Sequence, residues 1–394
     1  MSIVKKIKTK VEKLNGNLIE MRRHLHQHPE LSFAEKETSQ YVQGLLSEHG
    51  IKYKAGYCKY GIVAEIKGAQ KGGLVYLRGD MDALPITEEN KVPYASKRSG
   101  VMHACGHDAH TTMLLGAAIT LQSLRTELKG TYRFVFQPGE EQLPGGASIM
   151  IKEGAIKNPS KAKIFGQHVH PPLEAGKVGF HPGEYMASAD EIFIEVVGKG
   201  GHAALPLNFI DPVMVSAEVV SALHKIISRY SDPKVPAVLS FGKINSKGGA
   251  TNIIPESVSL MGTLRTMDET NRAHLKKMIK QIATHTAKAY GAKAKVKIKH
   301  GYPTLKNDIP LTTAAMGHAE KFLGKENVVL LDKRMTAEDF SFYTQMMPAC
   351  FYRLGTGNQH KGMTSPVHTP TFDIDESALA IGVGLMSYLA IQNI

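Results

Sequence analysis

Short apolar runs that alternate with helix-period stretches constrain this chain more than any other feature of it. Strands are predicted at 62–66, 74–77, 132–136 and 162–165, with helices near 110–128 and 147–153 among them. Ahead of these, Val4, Ile7, Val11, Leu14 and Leu18 recur at helical spacing, and Pro29 closes that region. A second helix is predicted through Tyr41, Val42, Leu45 and Leu46, stopped by Gly50. Apolar strands separated by helices need cover on both faces. The pattern therefore implies an α/β fold with a mixed, mostly parallel sheet sandwiched by helices.

From Asp190 the order changes. Strand 191–197, helix 211–229, strands 237–244 and 257–265, helix 269–290 and strand 293–299 follow one another. That is β-α-β-β-α-β, the ferredoxin-like arrangement, complete in itself and insertable into another domain. Strand 328–331, helix 337–346, strand 350–354 and a last helix 376–391 then resume the first alternation. The predicted organisation is one domain from 1–186 and 300–394, interrupted by an inserted ferredoxin-like domain at 187–299.

With 394 residues the chain has room for both. Its formal net charge of +12 could serve nucleic acid, an anionic surface or carboxylate substrates. Lys293, Lys295, Lys297 and Lys299 alternate with Ala294, Val296 and Ile298, which reads as the wet face of a half-buried strand. Neither that cluster nor Lys5, Lys6, Lys8 and Lys10 is interleaved with the aromatics of a single-strand binder, so no nucleic-acid partner is expected. No apolar run is long enough for a bilayer, and the lysine-studded N-terminus lacks a signal-peptide core. Three cysteines form no even framework, which suits a reducing compartment. The expectation is a cytoplasmic protein with no membrane partner.

Metal-type side chains gather near the carboxyl ends of predicted strands: Asp80 and Asp82, Glu140 and Glu141, His168 and His170. Ligands of open α/β sheets collect at that edge. In the segment HACGHDAH, Cys105 and His107 flank Gly106, and a glycine-bearing loop can aim both at one ion such as Zn²⁺. Taken alone the pair could equally be an inert thiol beside a satisfied histidine. Adjacent glutamates on extended backbone point to opposite sides, so one of Glu140 and Glu141 can bind metal while the other faces the attacked bond. Asp82 is read as fixing a ligand or tuning a base, with a structural loop carboxylate as the alternative. His24, His26 and His28 are spaced by two on a helix and are read as ordinary histidines, not ligands.

Six motifs in order, RGDMDALP, VMHACGHDAH, FQPGEE, GKGGHAALP, NIIPESVSLMGTLRT and SPVHTPTFDIDE, resemble the metallopeptidase-like aminoacylases. That group takes in hippurate, auxin-conjugate and N-acetyl-amino-acid hydrolases. The resemblance implies a zinc-peptidase-like catalytic domain and an inserted lid or dimerisation domain. It further implies two divalent ions per subunit, Zn²⁺ or Mn²⁺ with Co²⁺ or Ni²⁺ also accommodated, held by Cys105, His107, Glu141, His168 and His368, the thiolate bridging. Glu140 would be the general acid/base acting on a metal-activated water. His202 would stabilise the oxyanion, often across the interface of a homodimer, and Asn252 and Arg265 would hold the substrate's carboxylate side. The implied reaction is hydrolysis of a small N-acyl amino acid. Its alternatives are a dipeptidase or carboxypeptidase of the same clan, and a catalytically silent metal-binding dimer. One departure is Gln142-Leu143-Pro144 after FQPGEE, where relatives run into a glycine-rich turn.

Overall fold

A computed structural model describes residues 1–394. It divides into two compact units, one of Met1–Gly183, Lys306–Asp332 and Asp339–Ile394, the other of Glu184–Leu305 and Lys333–Glu338.

The first unit is built on an eight-stranded sheet in the order Lys52–Tyr57, Gly61–Lys67, Lys129–Gln137, Gln70–Asp80, Ala162–Glu174, Ala349–Gly357, Val178–Phe180, Val328–Leu330. The four central strands run parallel and the flanking pairs are mixed, so the central carboxyl ends share one edge. Along Ala162–Glu174 the side chains alternate. Phe165 and Val169 join the main core, while Gly166 faces the rings of Phe340 and Phe351. Helices Ile3–Gln27, His107–Leu124 and Ser377–Gln392 pack on one another over the core face. His107–Leu124 is buried almost all round, as a helix trapped between a sheet and other helices must be.

In the second unit the sheet order is Ala237–Ser246, Ser257–Thr266, Asp190–Val197, Lys293–His300, every neighbour antiparallel. Helices Pro212–Tyr230 and Glu269–Ala289 cover one face through Val219, Leu223, Leu275 and Ile279 on Ile192, Ile194 and Val196. Asp211 and Asp268 cap these helices through their carboxylates, and Pro212 sits in the first turn. Ala294, Val296 and Ile298 pack on that core, and Lys295 and Lys299 project from the strand with their heads at least half exposed. The element order matches the predicted β-α-β-β-α-β.

Four expectations need correction. The helix predicted at 337–346 shrinks to Ser341–Thr344; ahead of it Asp339 spends its carboxylate on Gln137 and the Ala147 N–H, and its own N–H faces Glu140. Helix Ile309–Leu323 was not predicted, although Asp308 caps it and Pro310 lies in its first turn. Edge strand Lys52–Tyr57 was also missed. The strand predicted at 162–165 continues to Glu174. No helix is long and apolar enough to cross a membrane.

Candidate metal centre

Three of the central strands deliver the site. Asp80 is the last residue of Gln70–Asp80, with Asp82 just beyond it, and Glu140 and Glu141 follow Lys129–Gln137 across a Pro-Gly turn. His168 lies inside Ala162–Glu174 and not past its end, which corrects the predicted placement; His170, on the same face, is half-buried. Cys105 and His107 come from the entry to the His107–Leu124 helix. Gly106 between them adopts φ +81°, and a Cβ there would lie 2.6 Å from Val169 Cγ2, so both backbone and space demand glycine. The Phe372 ring also packs at this point, 3.3 Å from the same Cβ position, and is fully buried.

Donor atoms of Cys105, His107 and His168 all lie within 4.8 Å of one another, and so do those of Cys105, Glu141 and His368. The two groups share the thiol. His107, Glu140 and Glu141 form a further group on the same measure, which puts Glu140 beside them. Each imidazole is turned by what its other nitrogen touches. His107 Nδ1 is 3.2 Å from Asp82 Oδ1, and His168 Nδ1 is 2.7 Å from the Val169 carbonyl, so both present Nε2 to the site. His107 Nε2 is buried without a hydrogen-bond partner, 3.9 Å from Glu141 Oε1. His168 Nε2 stands 3.5 Å from Cys105 Sγ, and His368 Nε2 stands 3.2 Å from Glu141 Oε1.

A buried imidazole nitrogen with no partner is costly unless something is meant to meet it. Sulfur, nitrogen and carboxylate oxygen converging on one spot are the donor set of a borderline divalent cation. The residues therefore fit a pair of such ions. Electrostatics agree. Burial, with Glu141 nearby, pushes the Cys105 thiol up, and hydrogen bonds to Cys105 and then Glu141 raise His368 to about 10. The protons held there are those a cation would displace.

Asp82 ties the site together. Besides His107 it accepts from Ser32 Oγ at 2.6 Å and from the Glu141 N–H at 3.0 Å. Burial opposes its charge, but these hydrogen bonds hold its carboxyl below the usual range. His110 is differently placed. Its Nδ1 is 2.6 Å from Asp80 Oδ1 and its Nε2 accepts the Val169 N–H at 2.9 Å, so neither nitrogen is left for an ion. His110 fixes the backbone next to His168 instead.

His202, Asn252 and Arg265 all belong to the second unit. His202 pairs with Ile253 across a two-residue ladder, and the Ala203 N–H bonds the Asn252 carbonyl at 3.0 Å, so the histidine and the asparagine are neighbours. The Ala204 N–H donates to His202 Nδ1 at 3.1 Å, which leaves the ring proton on an exposed Nε2. Arg265 is half-buried on Ser257–Thr266.

Residues 76–392 match the peptidase family M20/M25/M40. The chain belongs to that family. It is thus a hydrolase of amide bonds. The M20 chain is 40% identical over 367 residues to the N-acetyl-L-cysteine deacetylase of Bacillus subtilis, covering 93% of itself and 85% of that protein. It is 43% identical over 296 residues to the N-acyl-L-amino acid amidohydrolase of Geobacillus stearothermophilus, covering 75% and 79%. A solved Bacillus subtilis structure, described as a dinuclear metal-binding peptidase of the M20 family, superposes at TM-score 0.83 with 35% identity over 97% of this chain and 100% of that one.

Several residues around the M20 site were invisible in the sequence. Asp339 accepts from Arg78 Nη2 at 2.7 Å, from Gln137 Nε2 at 2.8 Å and from the Ala147 N–H at 3.0 Å, and its own N–H lies 3.4 Å from Glu140 Oε1. Glu35 is fully buried and accepts the Gly139 N–H at 2.7 Å, which steadies the turn ahead of Glu140; burial and then Asp82 raise its carboxyl to about 8. The one local signal is the adjacent acidic pair Glu338-Asp339 in MTAEDFSF, which by itself reads as a solvated turn.

Proposed function

We propose that this chain hydrolyses the amide bond of N-acyl amino acids, releasing a carboxylic acid and a free amino acid. The observation that carries the reading is the pair of three-donor groups sharing Cys105, with Glu140 beside them and outside both. Cys105, His107 and His168 would hold one divalent ion, and Cys105, Glu141 and His368 the other. Zn²⁺ or Mn²⁺ suits this mixed set, with Co²⁺ and Ni²⁺ accommodated. Two such ions, when bound, would lower the pKa of a water to about 7 and would supply charge for the developing oxyanion.

The chain's own groups do the rest. Glu140 takes a proton from the attacking water and passes it to the leaving amine, which converts a poor leaving group into a neutral one. Asp82 keeps the His107 ring turned so that Nε2 faces the ion. His202, with its proton on Nε2, is the donor assigned to the oxyanion, and Asn252 and Arg265 are assigned to the substrate carboxylate. The unit 187–299 is assigned a lid and dimerisation role, so that the active form is a homodimer. Three free, buried cysteines favour a cytoplasmic setting.

Glu140→Gln is the test. Expected is retention of both ions with turnover lowered roughly 10²–10⁴-fold on a panel of N-acetyl, N-benzoyl and dipeptide substrates. Wild-type turnover in the metal-loaded variant would sink the mechanism, and a wild type active on dipeptides alone would replace the acyl substrate with a peptide. For the dimer, the readout is sedimentation: a fully active monomer removes it.

A further inference from the structure

We propose that Arg22 is a positioning residue of the metal centre, a cation that locks the His368 loop to the Cys105–His107 loop. The proposal rests on the dinuclear reading above. Arg22 lies in the helix Ile3–Gln27, far from the site in sequence, and is fully buried. Its Nε is 2.8 Å from Asp108 Oδ2, and its Nη2 is 2.8 Å from Asp373 Oδ1. Asp108 directly follows His107, and Asp373 stands five positions after His368. One guanidinium therefore grips the carboxylate next to His107 and a second one in the segment that follows His368.

The surroundings tighten this bracket on both sides. On the helix side His26 Nδ1 is 2.7 Å from the same Asp108 Oδ2 that Arg22 grips. On the loop side Tyr94 donates to Asp373 Oδ2 at 2.8 Å, Asn90 Nδ2 donates to the Phe372 carbonyl at 2.9 Å, and the Glu89 N–H donates to the Pro370 carbonyl at 2.9 Å. The His368 loop needs such support. His368 has φ +65°, a left-handed conformation that a residue with a Cβ adopts only when its neighbours impose it. Its side chain is half exposed, and its backbone N–H reaches the Ala104 carbonyl at 2.7 Å.

Charge points the same way. Asp108, Asp373 and, at 3.5 Å, Glu376 all face Arg22. Taking the cation away would leave buried carboxylates opposed across the gap between the two loops, and they would move apart. Since Cys105 is the one donor the two groups share, such a shift changes the spacing of the two ions before it changes the fold.

Co²⁺ titration of the metal-stripped full chain reads this out, by bound ions and by thiolate-to-cobalt absorption. Wild type is expected to take two ions. In Arg22→Gln the ion that His368→Ala also loses should weaken by roughly tenfold or more, the cost of losing an outer partner, while the other stays within about threefold. Asp373→Asn should weaken the same ion, and Arg22→Lys should recover part of the loss, since one ammonium reaches one loop but not both. Arg133→Gln, which breaks the 2.9 Å ion pair to Glu65 on a neighbouring strand, should leave both ions unchanged. A folded Arg22→Gln that binds both ions as wild type overturns the proposal, as does equal weakening by Arg133→Gln. If Arg22→Gln does not fold, Asp373→Asn decides by the same criterion. A wild type that takes fewer than two ions overturns the dinuclear reading itself, and the bracket with it.

Discussion

Two stretches of this chain carry three histidines each, His24, His26 and His28 in one and His103, His107 and His110 in the other, and they are put to different uses. What separates them is the occupant of the second ring nitrogen. His107 is backed by Asp82 on Nδ1 and keeps a buried, partnerless Nε2. His110 spends both nitrogens inside the protein, on Asp80 and on the Val169 N–H. His103 is buried with neither nitrogen bonded, and burial drops it to about 4, so it stays neutral. His26 sits between two acids, Asp108 and Glu88. His24 stacks on Tyr41, and His28 bonds the His24 carbonyl. His107 is the ligand candidate among these six because a carboxylate holds one nitrogen while the other lies buried and unclaimed among metal-type donors.

The sharpest way to break that comparison is to remove the backing and keep the ligand. Asp82→Asn leaves His107 in place but weakens the acceptor behind Nδ1 and disturbs the bond to the Glu141 N–H. Expected is a loss of roughly 10–100-fold in metal affinity, with thermal stability changed little. Metal content measured by equilibrium dialysis checks it. An Asp82→Asn protein that binds metal like wild type would mean that the loop aims His107 without help, and the comparison would lose its physical basis.

The fold was legible where period and burial coincide. Strands 132–136 and 191–197 and helix 269–290 carry apolar positions at the spacing their structure needs, and they appear where predicted. Helix Ile309–Leu323 escaped because its buried face, Leu311, Ala315, Ala319 and Phe322, is half alanine, and Ile309, Met316 and Leu323 off that line blur the stripe. The candidate donors were legible only through six motifs taken in order, since Cys-Gly-His alone could equally be an inert thiol beside a satisfied histidine and His368 alone would read as a surface residue. Their support was not. Arg22 reaches Asp108 across 86 positions and Asp373 across 351, and no local window contains such a pair. Asp339 and Glu35 are acids whose importance depends on burial, which only the packed structure supplies. His26 was read as ordinary because its spacing is wrong for a ligand, and the structure sets it between two carboxylates that favour its charged form.

That charge gives the smallest and most specific expectation. Burial, together with Arg22, opposes protonation of His26, but Asp108 and Glu88 outweigh them and its pKa is raised. A group protonated more readily when folded adds stability below its unfolded value, near 6.5, and loses it as pH rises through the folded value. His26→Asn should therefore lower the melting temperature by a few degrees at pH 5.5–6.5, and the deficit should narrow as the buffer is taken toward pH 9. Melts of both proteins at saturating metal, across that range, measure the difference. A deficit that is flat with pH would mean that His26 acts by shape alone. A deficit that widens with pH would mean that the ring is neutral when folded, and that Arg22 alone carries the positive charge facing Asp108.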